Sequence, residues 1–198
     1  QTDERYNSIR MCKMMKSTPR PLPYYLQCFA KLNCNKQRGL VAPHKAVLLI
    51  AVMEDVAHGL ITNGFVPVND RMVDSFNRVW ERLVGESSVF NPVFSTPFYH
   101  LSSEPFWKLM RTDEYRQQRE YSLPRLRESF YGAKLPDDLM GYMEDDGCRR
   151  LLTKVLLERY IPNSDDDGII IYRPIIAACE RAANICSDPP IPPIKKAK

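Results

Sequence analysis

A chain of 198 residues, 44% apolar and 26% charged, has the composition of an ordinary globular protein, which excludes collagen-like and disordered classes and sets one domain with tails as the expectation. The net charge of +4 hides an asymmetry: residues 1–45 hold nine basic side chains (Arg5, Arg10, Lys13, Lys16, Arg20, Lys31, Lys36, Arg38, Lys45) against Asp3 and Glu4, so this part carries +7 and the remainder −3. Such a distribution points to an anionic partner, with nucleic acid ahead of a membrane surface.

In chain order, Asp3 to Lys16 reads as a first helix with Tyr6, Ile9, Met14 and Met15 as its apolar contacts. The three prolines of Thr18 to Pro23 make that segment extended or turned. A helix resumes over Tyr24 to Leu32, with Tyr25, Phe29 and Leu32 at helical spacing, and Asn33 to Leu40 reads as a basic loop. Ala42 to Gly59 is the strongest element. Pro43 suits a helix start, Gly59 a C-terminal cap, and the residues between are apolar on every side, which marks a buried central helix.

A short extended piece over Leu60 to Val68 leads to Asn69-Asp70, a good cap for an amphipathic helix over Arg71 to Val84 that buries Met72, Val73, Phe76, Val79, Trp80 and Leu83. The near-copies Pro97-Phe98-Tyr99-His100-Leu101 and Pro105-Phe106-Trp107-Lys108-Leu109, joined by Ser102-Ser103-Glu104, predict an antiparallel hairpin. Alternation would then put Tyr99, Leu101, Trp107 and Leu109 on a core face and Phe98, His100, Phe106 and Lys108 on the other. Helices are expected over Leu123 to Phe130, Pro136 to Tyr142 and Gly147 to Tyr160. After them come an acidic turn at Asp165-Asp166-Asp167-Gly168, a strand-like run over Ile169 to Tyr172, a last helix over Pro174 to Ile185 and a Pro/Lys tail.

The expected fold is α+β and mostly α-helical, a buried central helix packed with surrounding helices and a small antiparallel hairpin or sheet. The expected division is an arm over 1–19, a main domain over 20–162, an extension over 163–187 and a disordered tail over 188–198. Gln1 in place of Met, with no apolar leader after it, implies numbering that starts inside a longer reading frame or after a cloning remnant.

Enzyme signatures are scarce. The six cysteines form no CxxC pair and are expected to be free thiols in a reducing cytoplasm; no metal or other cofactor is expected. With three histidines the chain cannot assemble an HNH metal-nuclease site from its motifs, and no phosphate-binding Gly-rich loop, H-E-x-x-H or G-x-S-x-G motif occurs. The 165–168 turn lacks the later ligands of an EF-hand and reads as a solvated turn. The best binding feature is the start of the central helix, where unpaired backbone N–H groups and the positive end of the helix dipole coincide with His44 and Lys45 and would receive a phosphate. The structural alternative for His44 is a hydrogen bond to a neighbouring carbonyl. Asn35, Lys36 and Arg38, just before this helix, read either as contacts to a nucleic-acid groove or backbone or as a solvated charge run.

The run Ala42-Pro43-His44-Lys45 into Val47 to Ile50, then Asn91-Pro92, Pro97 to Leu101, Phe106 to Leu109, and Arg149-Arg150-Leu151-Leu152 to Arg159-Tyr160, resembles the sulfur-binding domain of modification-dependent HNH restriction endonucleases. The resemblance covers approximately residues 20 to 162. It implies recognition of phosphorothioate-modified double-stranded DNA, in which sulfur replaces a non-bridging phosphate oxygen. Carried onto this chain, Thr96, Pro97, Phe98 and His100 would line the sulfur pocket and His44 and Lys45 would serve the adjoining backbone. In the family pattern an aromatic residue tends to precede that proline and a small residue to stand three places after it; here these are Thr96 and His100. The resemblance also implies a role in bacterial defence, a homodimer or an attached nuclease domain, and no catalytic centre within these residues. The alternatives are a DNA-binding module without sulfur preference, a structural or protein-interaction domain of a defence system, and a hydrolase with an unrecognised site.

Overall fold

The computed structural model describes residues 19–37, 39–85 and 89–161. The expectations for the 1–18 helix and arm, for Arg38, for the acidic turn and for everything from residue 162 onward lie outside the described residues. Within them the elements run α1 (Leu22–Ala30), β1 (Lys36–Gln37), β2 (Leu40–Val41), α2 (His44–Ala57), β3 (Phe65–Pro67), α3 (Asp70–Leu83), α4 (Ser95–His100), a 3-10 turn (Leu101–Ser103), β4 (Lys108–Arg111), α5 (Leu123–Ser129), β5 (Phe130–Lys134), α6 (Asp137–Glu144) and α7 (Asp146–Tyr160). The fold is α+β and mostly α-helical, with two small antiparallel sheets, β1-β2 and β3-β5-β4.

Helix α2 is the centre. Every residue from Ala46 to Met53 is at most 2% exposed, because α3, α4, α6 and α7 all pack on it. A helix apolar on all sides has no stable surface position, so it becomes the axis of the core. Its C-terminal end is closed by Gly59 at φ +69°, a left-handed conformation that favours glycine. Helix α3 is capped as expected by Asn69, whose side chain accepts from the Met72 N–H at 2.9 Å. It buries Met72, Phe76, Val79 and Trp80, with Val73 and Leu83 partly buried beside them. Helix α1 lies against α7, and the Tyr160 hydroxyl accepts the Leu32 N–H at 2.8 Å where the two helices end together.

The hairpin expected over residues 97 to 109 is absent. The first copy of the repeat is helix α4 and the second is an irregular segment leading into β4. Helical spacing takes precedence over alternation because Phe94, Phe98 and Leu101, at i, i+4 and i+7, together reach the core and are at most 5% exposed. Pro97 is tolerated in the first turn of α4, where its missing N–H has no helical acceptor to lose. Phe106 and Trp107 are also buried, and the Trp107 indole N–H donates to the Phe98 carbonyl at 3.0 Å, so both faces of the expected hairpin contribute to one core. The basic loop contains a minimal hairpin, β1-β2, with Lys36 opposite Val41.

Strand β4 pairs instead with β5, the central strand of the larger sheet, whose other neighbour is β3. Gly132 stands opposite both Pro67 and Met110, and the Phe65 ring lies across it.

Candidate functional site

A half-open cavity of about 480 Å³ lies at the N-terminus of α2. One wall comes from the stretch after α1 and from β1, with Asn33, Cys34, Asn35, Lys36 and Gln37; Ala42, His44 and Lys45 form its floor. The opposite wall is Thr96, Pro97 and His100 of α4, with Phe90 and Ser103 at its ends. Seven of the residues singled out from the sequence, Asn35, Lys36, His44, Lys45, Thr96, Pro97 and His100, therefore converge on one concavity from three separate segments. Phe98 does not belong to it: its ring is fully buried, tilted against Phe94 at 5.3 Å and edge-on at 5.2 Å to Trp107. That is a correction with a simple cause, since one residue further along a helix turns the side chain about 100° away from the Pro97 direction.

The helix start is electrostatically open. Pro43 at the cap position offers no side-chain acceptor, and the first turn carries no acid, so the leading N–H groups and the positive end of the dipole are uncompensated. His44 stands in aromatic surroundings, its ring 4.7 Å from Trp80 and 5.8 Å from Phe90, and Nε2 lies 2.8 Å from the Asn91 carbonyl oxygen. A carbonyl only accepts, so Nε2 carries a hydrogen; in the neutral ring Nδ1 is then an acceptor. Burial pushes the His44 pKa below its ordinary 6.5, partly opposed by that hydrogen bond. His100 is lowered too, by partial burial and then by the Lys45 charge, against the opposite pull of Glu120.

Lys45 is not the exposed cation expected. Its ammonium donates to Glu104 Oε1 at 2.7 Å and to Ser103 Oγ at 3.1 Å, and both members of the ion pair are less than a tenth exposed. Ser103 in turn donates to the His100 carbonyl at 2.9 Å. This Ser–Lys contact is no nucleophile–base pair, because an ion-paired ammonium has no lone pair to take the hydroxyl proton. The Cys34 thiol is pushed up to about 11, chiefly by burial, with Lys45 pulling it down and Glu104 raising it, so it stays protonated at neutral pH. No cluster of three metal-ligating side chains occurs among the described residues, and no helix there is long and apolar enough to cross a membrane.

The lowered histidines fix a sign. A histidine whose folded pKa lies below its unfolded value stabilises the fold above the unfolded pKa, and that stability is lost as the pH falls through the folded pKa. Without ligand, the thermal unfolding midpoint is expected to fall between roughly pH 7.5 and 5.5, above most carboxylate titration. The variant His44→Gln/His100→Gln should show a flatter profile; an unchanged slope would exonerate both rings.

Sequence reasoning missed Glu104 and Ser103, read as a hairpin turn, and Phe90, which carried no motif. Only the three-dimensional pairing of Glu104 with a residue 59 positions earlier reveals its role. Neither a scan against protein-family models nor a search of the curated proteins finds a match to this chain.

Proposed function

We propose that this chain is the DNA-recognition module of a restriction or defence system and that the cavity at the start of α2 receives the phosphorothioate group of a modified duplex. The observation that supports this most is the juxtaposition, in one concavity, of an uncapped helix N-terminus and a proline wall. The helix end attracts an anion. The apolar surface of Pro97, Ala42 and Phe90 favours sulfur, which is larger and less strongly hydrated than oxygen; a phosphate oxygen pressed against those carbons loses water hydrogen bonds that they cannot replace. Lys36, which makes no ion pair among the described residues, contributes sequence-independent attraction at the rim, and Asn35 stands beside it. Arg38 belongs to the same proposal by its place in the sequence.

The test is equilibrium binding at fixed salt of matched duplexes with and without a single phosphorothioate. The modified duplex is expected to bind more tightly by about tenfold or more, equivalent to ~1.4 kcal/mol. Pro97→Ala should reduce that preference at a modest cost in stability, since Pro97 is buried, and His44→Ala should weaken both complexes. Equal affinities would leave a general DNA-binding module; binding to neither duplex would favour the protein-interaction alternative. Metal-dependent cleavage by these residues is not expected.

A further inference from the structure

Three segments converge on one carboxylate oxygen. Glu104 Oε1 accepts from the Lys45 ammonium at 2.7 Å and from the Asn33 backbone N–H at 3.1 Å, with Ser103 Oγ at 3.4 Å. Asn33 follows α1, Lys45 sits in the first turn of α2, and Ser103-Glu104 follow α4, so the contact clamps the three walls of the cavity together. Its electrostatic consequence is larger than its structural one. Placed at the positive end of a helix, an uncompensated buried ammonium would make the cavity a strong site for any phosphate oxygen. The carboxylate at 2.7 Å cancels that charge within the protein, so Lys45, which lines the cavity, brings no net charge to it.

We infer that Glu104 is the specificity-determining residue of this cavity: by neutralising Lys45 it denies an ordinary phosphate oxygen the hard cationic donor it would need, and leaves the cavity selective for the softer, more weakly hydrated phosphorothioate. This rests on the DNA reading above. The structural alternative is that the pair only holds the walls together. The two differ in one respect: a clamp depends on the bond, whereas selectivity depends on the net charge.

The single substitution Glu104→Gln keeps an acceptor for the Asn33 N–H and removes the charge. It is expected to raise affinity for the unmodified duplex about tenfold. The logarithmic salt dependence should steepen by about 0.9, the effect of one further phosphate neutralised. The modified duplex gains less, because an ammonium N–H bonds oxygen better than sulfur, so the preference narrows. Since removing one member of a buried pair can unfold a domain, the double variant Lys45→Met/Glu104→Gln is measured alongside, with unfolding midpoints for each. It removes the ion pair but keeps the net charge at zero, and it should keep the wild-type preference within about twofold.

A folded Glu104→Gln protein with an unaltered preference, or a folded double variant that loses it, overturns the inference while leaving the DNA reading intact. Wild-type protein that binds neither duplex removes the DNA reading and this inference together. Equal wild-type affinities leave Glu104 nothing to select and also overturn it.

Discussion

Truncating Phe98 to alanine should cost about 3–5 kcal/mol of folding free energy, the range for deleting a buried aromatic ring. The ring is fully buried between Phe94 and Trp107, and Phe94 in turn contacts Phe76 of α3, so the cavity left behind would open in the seam between α3, α4 and the start of β4. Phe76 is fixed within α3 and Trp107 by its indole bond to the Phe98 carbonyl, so these neighbours cannot collapse far. Urea unfolding should show a lower midpoint, with the slope unchanged if the denatured state is unaffected. The neighbouring Pro97→Ala provides the contrast: Pro97 is buried too, but it borders the cavity, loses fewer carbons than Phe98, and alanine is at least as good a helix former, so a smaller loss is expected. If Phe98→Ala instead left stability within about 1 kcal/mol of wild type and abolished discrimination between duplexes, Phe98 would have to be returned to the binding wall.

Gly132→Ala is the second large effect, in the three-stranded sheet. A methyl group on Gly132 would overlap the Val66 carbonyl oxygen and come 2.7 Å from Cζ of the Phe65 ring. A side chain end could swing aside, but the carbonyl belongs to β3, which is registered to β5 by pairing of Phe65 with Lys134 and of Pro67 with Gly132. Relief therefore requires β3 to move relative to β5. Overpacking of this kind typically costs about 1–3 kcal/mol, and a backbone obstacle places the expectation at the top of that range. Hydrogen exchange would locate the damage: amides of β3 and β5 should lose protection before those of α2. A Gly132→Ala protein as stable as wild type would show that the strand separates freely at this point and that the Phe65 ring is not fixed over it.

One side of the cavity at the start of α2 was legible in a short local pattern, and the other only through the family resemblance. Pro43-His44-Lys45 announces a helix start that no acid caps, whereas Thr96, Pro97 and His100 were singled out by what the resemblance implies. The expected hairpin would have put Pro97 and His100 on opposite faces; the helix brings them to one side, because residues three apart share a face of a helix. Phe98 was lost to the core by the same change of period. The strand Phe130–Lys134 went unread for a different reason: its aromatic, glycine and lysine residues form no alternating pattern, and it is a strand only because β3 and β4 flank it, although both are far away in sequence.

Local pattern thus settled the buried central helix, the Asn69 cap and amphipathic face of α3, and the unequal distribution of charge, all of which depend on residues within a few turns of one another. Tertiary structure decided whether the repeated aromatic segment became hairpin or helix, because aromatic residues suit either and only the core they enter distinguishes them. It also decided what Lys45 is. From the sequence it is a cation at a helix start; in the fold, with Glu104 at 2.7 Å, it is half of a buried neutral pair. Charge is a property of a residue, but the field it exerts on a ligand depends on which opposite charge the chain brings beside it, and that is a long-range fact.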